Sequence, residues 1–279
     1  MIRSALFIPA NNPGMMQNAD LFAADAIIFD LEDAVLAEEK DSARALLSHY
    51  LQTFTLKAKV IVRINSNPLW FAKDLEAIVC NRLDAILLPK ANYEDLSQTK
   101  MMLTRLEKDY KISKKIAIIP LIETAMAVLD IERLINRARV SGVLLGAEDL
   151  TADIGINRTK QGKEILYARM RLALVASAYR IFSIDTPFTD INDNEGLIED
   201  ATFARDLGFS AKAAIHPRQI PIINKVFSPT EEEIIWAKRV IEKSKVASGA
   251  FSLDGKMVDQ PIIERAKKTI QDAKRYDLV

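Results

Sequence analysis

Residues 116–149 read IAIIPLIETAMAVLDIERLINRARVSGVLLGAED. Two short apolar runs, Ile116–Ile122 and Gly142–Leu145, bracket a segment in which Ala127, Val128, Ile131, Leu134, Ile135 and Ala138 recur at three- and four-residue spacing. Short, nearly unbroken apolar runs suit parallel strands covered on both faces. The recurrence between them paints one apolar stripe on a helix. The stretch therefore predicts a β-α-β unit.

Reading outward in both directions, the same alternation continues. Strand-like runs occur at Ala5–Ile8, Ala26–Phe29, Val60–Ile64, Ala85–Leu88, Ile181–Asp185 and Ala213–Ile215. With the two above they make eight. Helical patterns lie between them, at 93–106, 165–179 and 197–207, the last stopped by Gly208. Eight β-α alternations in about 220 residues predict an α/β fold, a closed (β/α)8 TIM barrel. A doubly wound open sheet is the alternative, but no GxGxxG or GxxxxGK[ST] motif follows the first strand. After the eighth strand, Thr230 and Glu233 have capping-box spacing, Asp254-Gly255 marks a tight turn, and a last helix is expected from Pro261 to Arg275. We divide the chain into a barrel at 1–228 and a C-terminal helix and arm at 229–279. The arm reads as too short and polar for a core of its own, so it is expected to pack on a neighbouring protomer of a homo-oligomer, a trimer or hexamer.

Composition narrows the function. The chain has 279 residues, 49% of them hydrophobic and 27% charged, which is ordinary globular composition. Thirty-eight basic residues balance thirty-eight acidic ones, which argues against a dedicated nucleic-acid binder. The single cysteine, Cys80, forbids an internal disulfide and a multi-cysteine zinc cage. It reads as a core residue. No run approaches the roughly 20 apolar residues that span a bilayer, and the N-terminal run is cut short at Pro9. No membrane partner is expected, and a cytoplasmic location is.

In a barrel the C-terminal strand ends face the active site. Here those ends carry Asn11-Asn12, Asp30 to Asp33, Arg63, Lys90, Glu123, Glu148-Asp149, Asp185 to Asp190 and His216. So many acids over an apolar core need neutralising, and a divalent cation helped by Arg63 and Lys90 is the simplest means. Glu123 and Asp149 end neighbouring strands, about 4.8 Å apart, and can reach one ion. Two carboxylates with substrate oxygens and waters suit octahedral Mg²⁺. The competing role for either acid is to cap the following helix, although Thr124 is the better cap after Glu123. Arg63 either grips a carboxylate through two hydrogen bonds or makes a structural bridge to Glu32 or Asp33, and those acids can also serve as outer partners of the metal site. Lys90 either stabilises developing anionic charge or balances local acids. His216 is either a general base or a packed polar residue near a helix start. His49 reads as a surface residue on a helix.

The residues at 3–44, RSALFIPANNPGMMQNADLFAADAIIFDLEDAVLAEEKDSAR, resemble the opening of citrate lyase beta subunits. These sit within a barrel family of acyl-thioester lyases that includes malyl-CoA and citramalyl-CoA lyases. VRIN at 62–65, LPK at 88–90, IET at 122–124, LLGAEDL at 144–150, HPRQI at 216–220 and DGKMVDQP at 254–261 continue the resemblance in order. It implies Mg²⁺ held by Glu123 and Asp149 and a substrate carboxylate held by Arg63. It also implies that Asp259, in the arm, reaches a neighbouring protomer's site as the catalytic acid. Within GAEDL, Ala147 and Glu148 are expected to contact substrate. The implied reaction cleaves a citryl thioester of CoA or an acyl carrier protein to oxaloacetate and acetyl thioester, with other citrate lyase subunits as possible partners. Malyl- or citramalyl-CoA lyase chemistry, and a non-catalytic barrel subunit, are the alternatives.

Overall fold

A computed structural model describes residues 2–247 and 249–279. Eight parallel strands close into a barrel in the order β1 to β8: Ser4–Pro9, Ala26–Asp30, Lys59–Arg63, Ala85–Leu88, Ala117–Ile122, Gly142–Leu145, Phe182–Asp185 and Ala211–Ala214. The first and last strands pair through Ala5 with Ala213, so the open-sheet alternative is excluded. The helices are α1 (Pro13–Gln17), α2 (Lys40–Thr53), α3 (Pro68–Ile78), α4 (Tyr93–Asp109), α5 (Ala125–Leu129), α6 (Ile131–Ile135), α7 (Ala147–Asp153), α8 (Leu166–Ala178), α9 (Asn194–Asp206), α10 (Gln219–Val226), α11 (Glu231–Ser244) and α12 (Gln260–Arg275). None is long and apolar enough to cross a membrane.

The apolar stripe at 127–138, read above as one helix, is two. Backbone at Asp130 leaves helical geometry, with ψ of 11°, and ends α5 before α6 begins. Thr124 caps α5 as expected, its hydroxyl accepting the Ala127 N–H. His49 is exposed on α2. Cys80 is half-buried just beyond α3, not a core residue.

Strand parity decides which side chains meet inside the barrel, because successive residues face opposite ways. Ile28, Ile61, Leu87, Ile119, Leu121, Leu144, Ile184, Ala211 and Ala213 belong to one interior cluster. Counting on by two from these places Asp30, Arg63, Glu123 and Gly146 at the upper mouth. Leu88, Asp185 and Lys212 have the opposite parity.

The chain divides into two compact units, the first reaching Asn224 and the second running Lys225–Val279. The second holds α11, α12 and an antiparallel hairpin of β9 (Phe251–Leu253) and β10 (Lys256–Val258). Its turn is Asp254-Gly255, both at positive φ, of 51° and 76°, as a two-residue hairpin requires. The Thr230–Glu233 capping box opens α11. Contrary to the sequence expectation, this unit has an apolar cluster of its own: Ala237, Val240, Leu253, Val258 and Ala266 are buried, with Trp236 and Phe251 packed against them. The polar composition hid it, since the apolar positions are few but converge from two helices and the hairpin.

Candidate active site

The upper mouth of the barrel opens into a cavity of about 410 Å³. Phe7, Leu121 and Leu144 line its apolar floor, and Asp30, Asp33, Arg63, Glu123, Glu148 and Asp149 supply its charged walls.

Register brings the first group together. Asp30 on β2 lies directly opposite Arg63 on β3. Its carboxylate accepts from Arg63 Nε at 2.7 Å and Nη2 at 2.6 Å, a two-point grip. It also accepts the backbone N–H groups of Glu32 and Ala34. Asp30 therefore neutralises Arg63 and rigidifies the loop after β2. Arg63 Nη1 is left facing Glu32 and Asp33, each at 3.2 Å, while its guanidinium plane lies over Phe7. Burial works against the charge on Arg63, but Asp30, Glu32 and Asp33 outweigh it and hold the guanidinium above its ordinary pKa. Burial also pushes Glu32 up to about 8, with Arg63 opposing and Asp33, Glu123 and Asp30 adding to the rise. The local acids are thus countered chiefly by Arg63, and the side chain used for a two-point grip is already taken by Asp30. Only Nη1 lies outside the grip of Asp30, and it meets Glu32 and the 66% exposed Asp33.

Glu123 follows β5 with interior parity and is 2% exposed. Lys90 donates its backbone N–H to Glu123 Oε1 at 2.5 Å. Burial raises the Glu123 carboxyl to about 7; the Lys90 N–H lowers it and the charge of Asp149 raises it again. Asp149, on the first turn of α7, therefore shares the field of Glu123, and both face the same cavity. Gly146, next to Glu123 through the β5–β6 register, leaves the room this requires. A Cβ there would stand 2.8 Å from both Glu123 Cβ and Oε2. Among the described residues no group of three or more His, Cys, Asp or Glu is arranged to hold a metal. A two-carboxylate site completed by substrate and water is what the pair allows.

Of the other expected residues, Ala147 and Glu148 line the cavity and the rest fall elsewhere. The Lys90 side chain is exposed, because Leu87 takes the inward parity and Lys90 sits at a φ of 45°; the backbone of Lys90, not its ammonium, touches the site. Glu148 lines the rim but pairs with Arg158 at 3.1 Å. Ala147 is fully buried, its N–H directed to Thr186 Oγ1 at 3.3 Å. Asp185 is not over the mouth: its opposite parity turns it toward the helices. His216 accepts the Arg218 N–H through Nδ1 and so marks the start of α10, without lining the cavity. Asp259 is the N-cap of α12, accepting the Ile262 N–H. Asp30 and Thr186 lay in strand-end stretches named above without a role, and Gly146 was missed; counting by twos from Ile28, Ile184 and Leu144 singles out all three.

Residues 3–217 match the family described as HpcH/HpaI aldolase/citrate lyase. The chain belongs to that family. It is 39% identical to the citrate lyase subunit beta of Leuconostoc mesenteroides subsp. cremoris, over 99% of this chain and 95% of that one. Among solved structures, a Mycobacterium tuberculosis CitE in complex with magnesium, acetoacetate and coenzyme A superposes with a TM-score of 0.82 at 32% identity, covering 97% of both chains. A citrate lyase beta subunit from M. tuberculosis complexed with oxaloacetate and magnesium gives a TM-score of 0.68 at 31% identity, over 81% of this chain and 97% of that one. This HpcH/HpaI family member thus shares its fold with proteins solved with magnesium and small oxo acids.

Proposed function

We propose that the protein is a Mg²⁺-dependent carbon–carbon lyase that cleaves a citryl thioester to oxaloacetate and acetyl thioester. The observation that carries this reading is the pairing of Glu123 with Asp149 across one cavity, beside a guanidinium locked in place by Asp30. Glu123 and Asp149 would hold the ion. When bound, it supplies a Lewis acid for the substrate's hydroxyl oxygen and relieves the repulsion between the two carboxylates.

The chain's own groups then divide the work. Arg63 Nη1 takes the substrate carboxylate that displaces Asp33, and Ala147 and Glu148 form the wall against which it lies. Transfer of the hydroxyl proton to the Asp33 carboxylate, freed from Arg63 Nη1, lets the electrons of the adjacent C–C bond move to the departing carbon. The hydroxyl carbon becomes the ketone of oxaloacetate, and the acetyl thioester leaves as its enolate. Arg63 lowers the energy of that anion. A proton delivered to the enolate carbon completes the products. Asp259 of a neighbouring protomer is the proposed acid, which makes the active assembly a homo-oligomer working in the cytoplasm, with CoA or an acyl carrier protein bearing the thioester. The decisive experiment offers citryl-CoA and a citryl acyl carrier protein to the purified full chain with Mg²⁺. Oxaloacetate release from either supports the reading. Silence with both, or cleavage of malyl- or citramalyl-CoA only, overturns it.

A further inference from the structure

Four charged side chains are sealed between the barrel and two of its helices. Asp185 and Lys212 are direct partners in the β7–β8 register, and both point outward, toward α8 and α9. Arg169 on α8 donates to Asp185 through Nε and Nη2, each at 2.9 Å, and from Nη2 to Asp200 on α9 at 2.7 Å. Lys212 Nζ donates to Asp185 at 2.6 Å, to Asp200 at 2.5 Å and to the carbonyl oxygen of Thr186 at 2.7 Å. The side chains of Arg169, Asp185 and Lys212 are wholly buried.

Two cations and two carboxylates cancel in charge, but that alone does not justify the arrangement. Removing such a set from water costs several kcal/mol per ion, and apolar residues of the same volume often serve stability as well or better. What the ammonium adds is direction: its three protons have three fixed acceptors. The third of these is the backbone of Thr186, the first residue after β7. Thr186 itself faces the cavity, and its hydroxyl accepts the N–H of Ala147, the first residue of the helix that carries Asp149.

We propose that Lys212 is a positioning residue for the lyase site: by holding the Thr186 carbonyl it sets where the Thr186 hydroxyl stands, and through Ala147 it fixes the first turn of α7 and the Asp149 carboxylate opposite Glu123. This rests on the reading of Glu123 and Asp149 as the Mg²⁺ pair. The test uses full-length wild type, Lys212→Met and Thr186→Val. It reads hydrogen exchange of the 146–150 amides, the calorimetric Mg²⁺ Kd and the KM-against-kcat split. Both variants are expected to exchange faster at 146–150 and to bind Mg²⁺ about tenfold more weakly, as lost outer partners of metal ligands do, with kcat falling more than KM rises. The double variant falls no further than either single. Should Lys212→Met not fold, the charge-balanced pair Lys212→Met with Asp200→Leu is read in its place. Unchanged exchange at 146–150 in the folded lysine variant overturns the proposal. A wild type that binds no Mg²⁺ overturns the metal pair instead, while the exchange result still decides the role of Lys212.

Discussion

Replacing Gly146 by alanine adds one methyl group at the point where β5 and β6 meet the cavity. The backbone there has φ of −97°, so the substitution brings no left-handed strain, and the consequence is one of space. The new Cβ would lie 2.8 Å from Glu123 Cβ and Oε2 and 3.2 Å from Leu121 Cδ1. Ordinary contact begins at 3.4 Å, so Glu123 must retreat by about 0.6 Å. Its Cβ is anchored to β5, and its Oε1 is held by the Lys90 N–H, so the carboxylate cannot swing aside freely. Overpacking of this kind costs about 1–3 kcal/mol of stability. Displacing a reacting group by about 1 Å can cost on the order of 100-fold in rate. We expect Gly146→Ala to stay folded with a lowered Tm, to bind Mg²⁺ at least tenfold more weakly, and to lose on the order of 10- to 100-fold in kcat/KM. Thermal melting, calorimetry and oxaloacetate release measure the three. A variant with wild-type Mg²⁺ affinity and turnover would refute the argument that Gly146 is there to make room for Glu123.

Arg63→Ala leaves Asp30 buried without its counter-ion; a loss of about 3–5 kcal/mol in denaturant unfolding is expected, and Arg63→Lys, a point charge, should restore part of the stability but little of the turnover. For pH, Glu32 and Glu123 bind a proton more tightly in the metal-free folded chain than in the unfolded one. The stability they contribute is fully present below about pH 4.5 and is lost as pH rises through about 7 for Glu123 and about 8 for Glu32; Glu32→Gln should flatten that decline in melts across this range. Because the ion needs the ionised carboxylate, Mg²⁺ affinity should climb with pH up to about 7 and then level off, and a flat profile would contradict the role of Glu123. Deleting residues after Gly249 should leave the barrel folded by circular dichroism and abolish turnover, since Asp259 goes with the arm; retained activity would remove the trans-acid proposal.

The barrel was legible because its strands are short unbroken apolar runs, and buried parallel strands leave little else to write. Helix breaks were less so: nothing in the apolar stripe at 127–138 shows that Asp130 will separate two helices, because periodicity continues across the break. Glu123 and Asp149 could be found by reading the strand ends. Lys90 was misjudged because position after a strand does not reveal direction; parity does, and it turns the ammonium outward while leaving the N–H on Glu123. Parity also explains why Asp185, which looks like a mouth residue, joins Lys212 in a buried ionic network behind the wall. The core of the C-terminal unit was hidden for another reason: its apolar residues come from α11, the hairpin and α12 and form no continuous run.

The central claim is that one cation sits between Glu123 and Asp149. The most direct measurement is an anomalous difference map from crystals grown with Mn²⁺ in place of Mg²⁺. A single peak in the barrel mouth, coordinated by both carboxylates, is expected. A mouth without a peak, or the two acids turned toward separate protein partners, would contradict it.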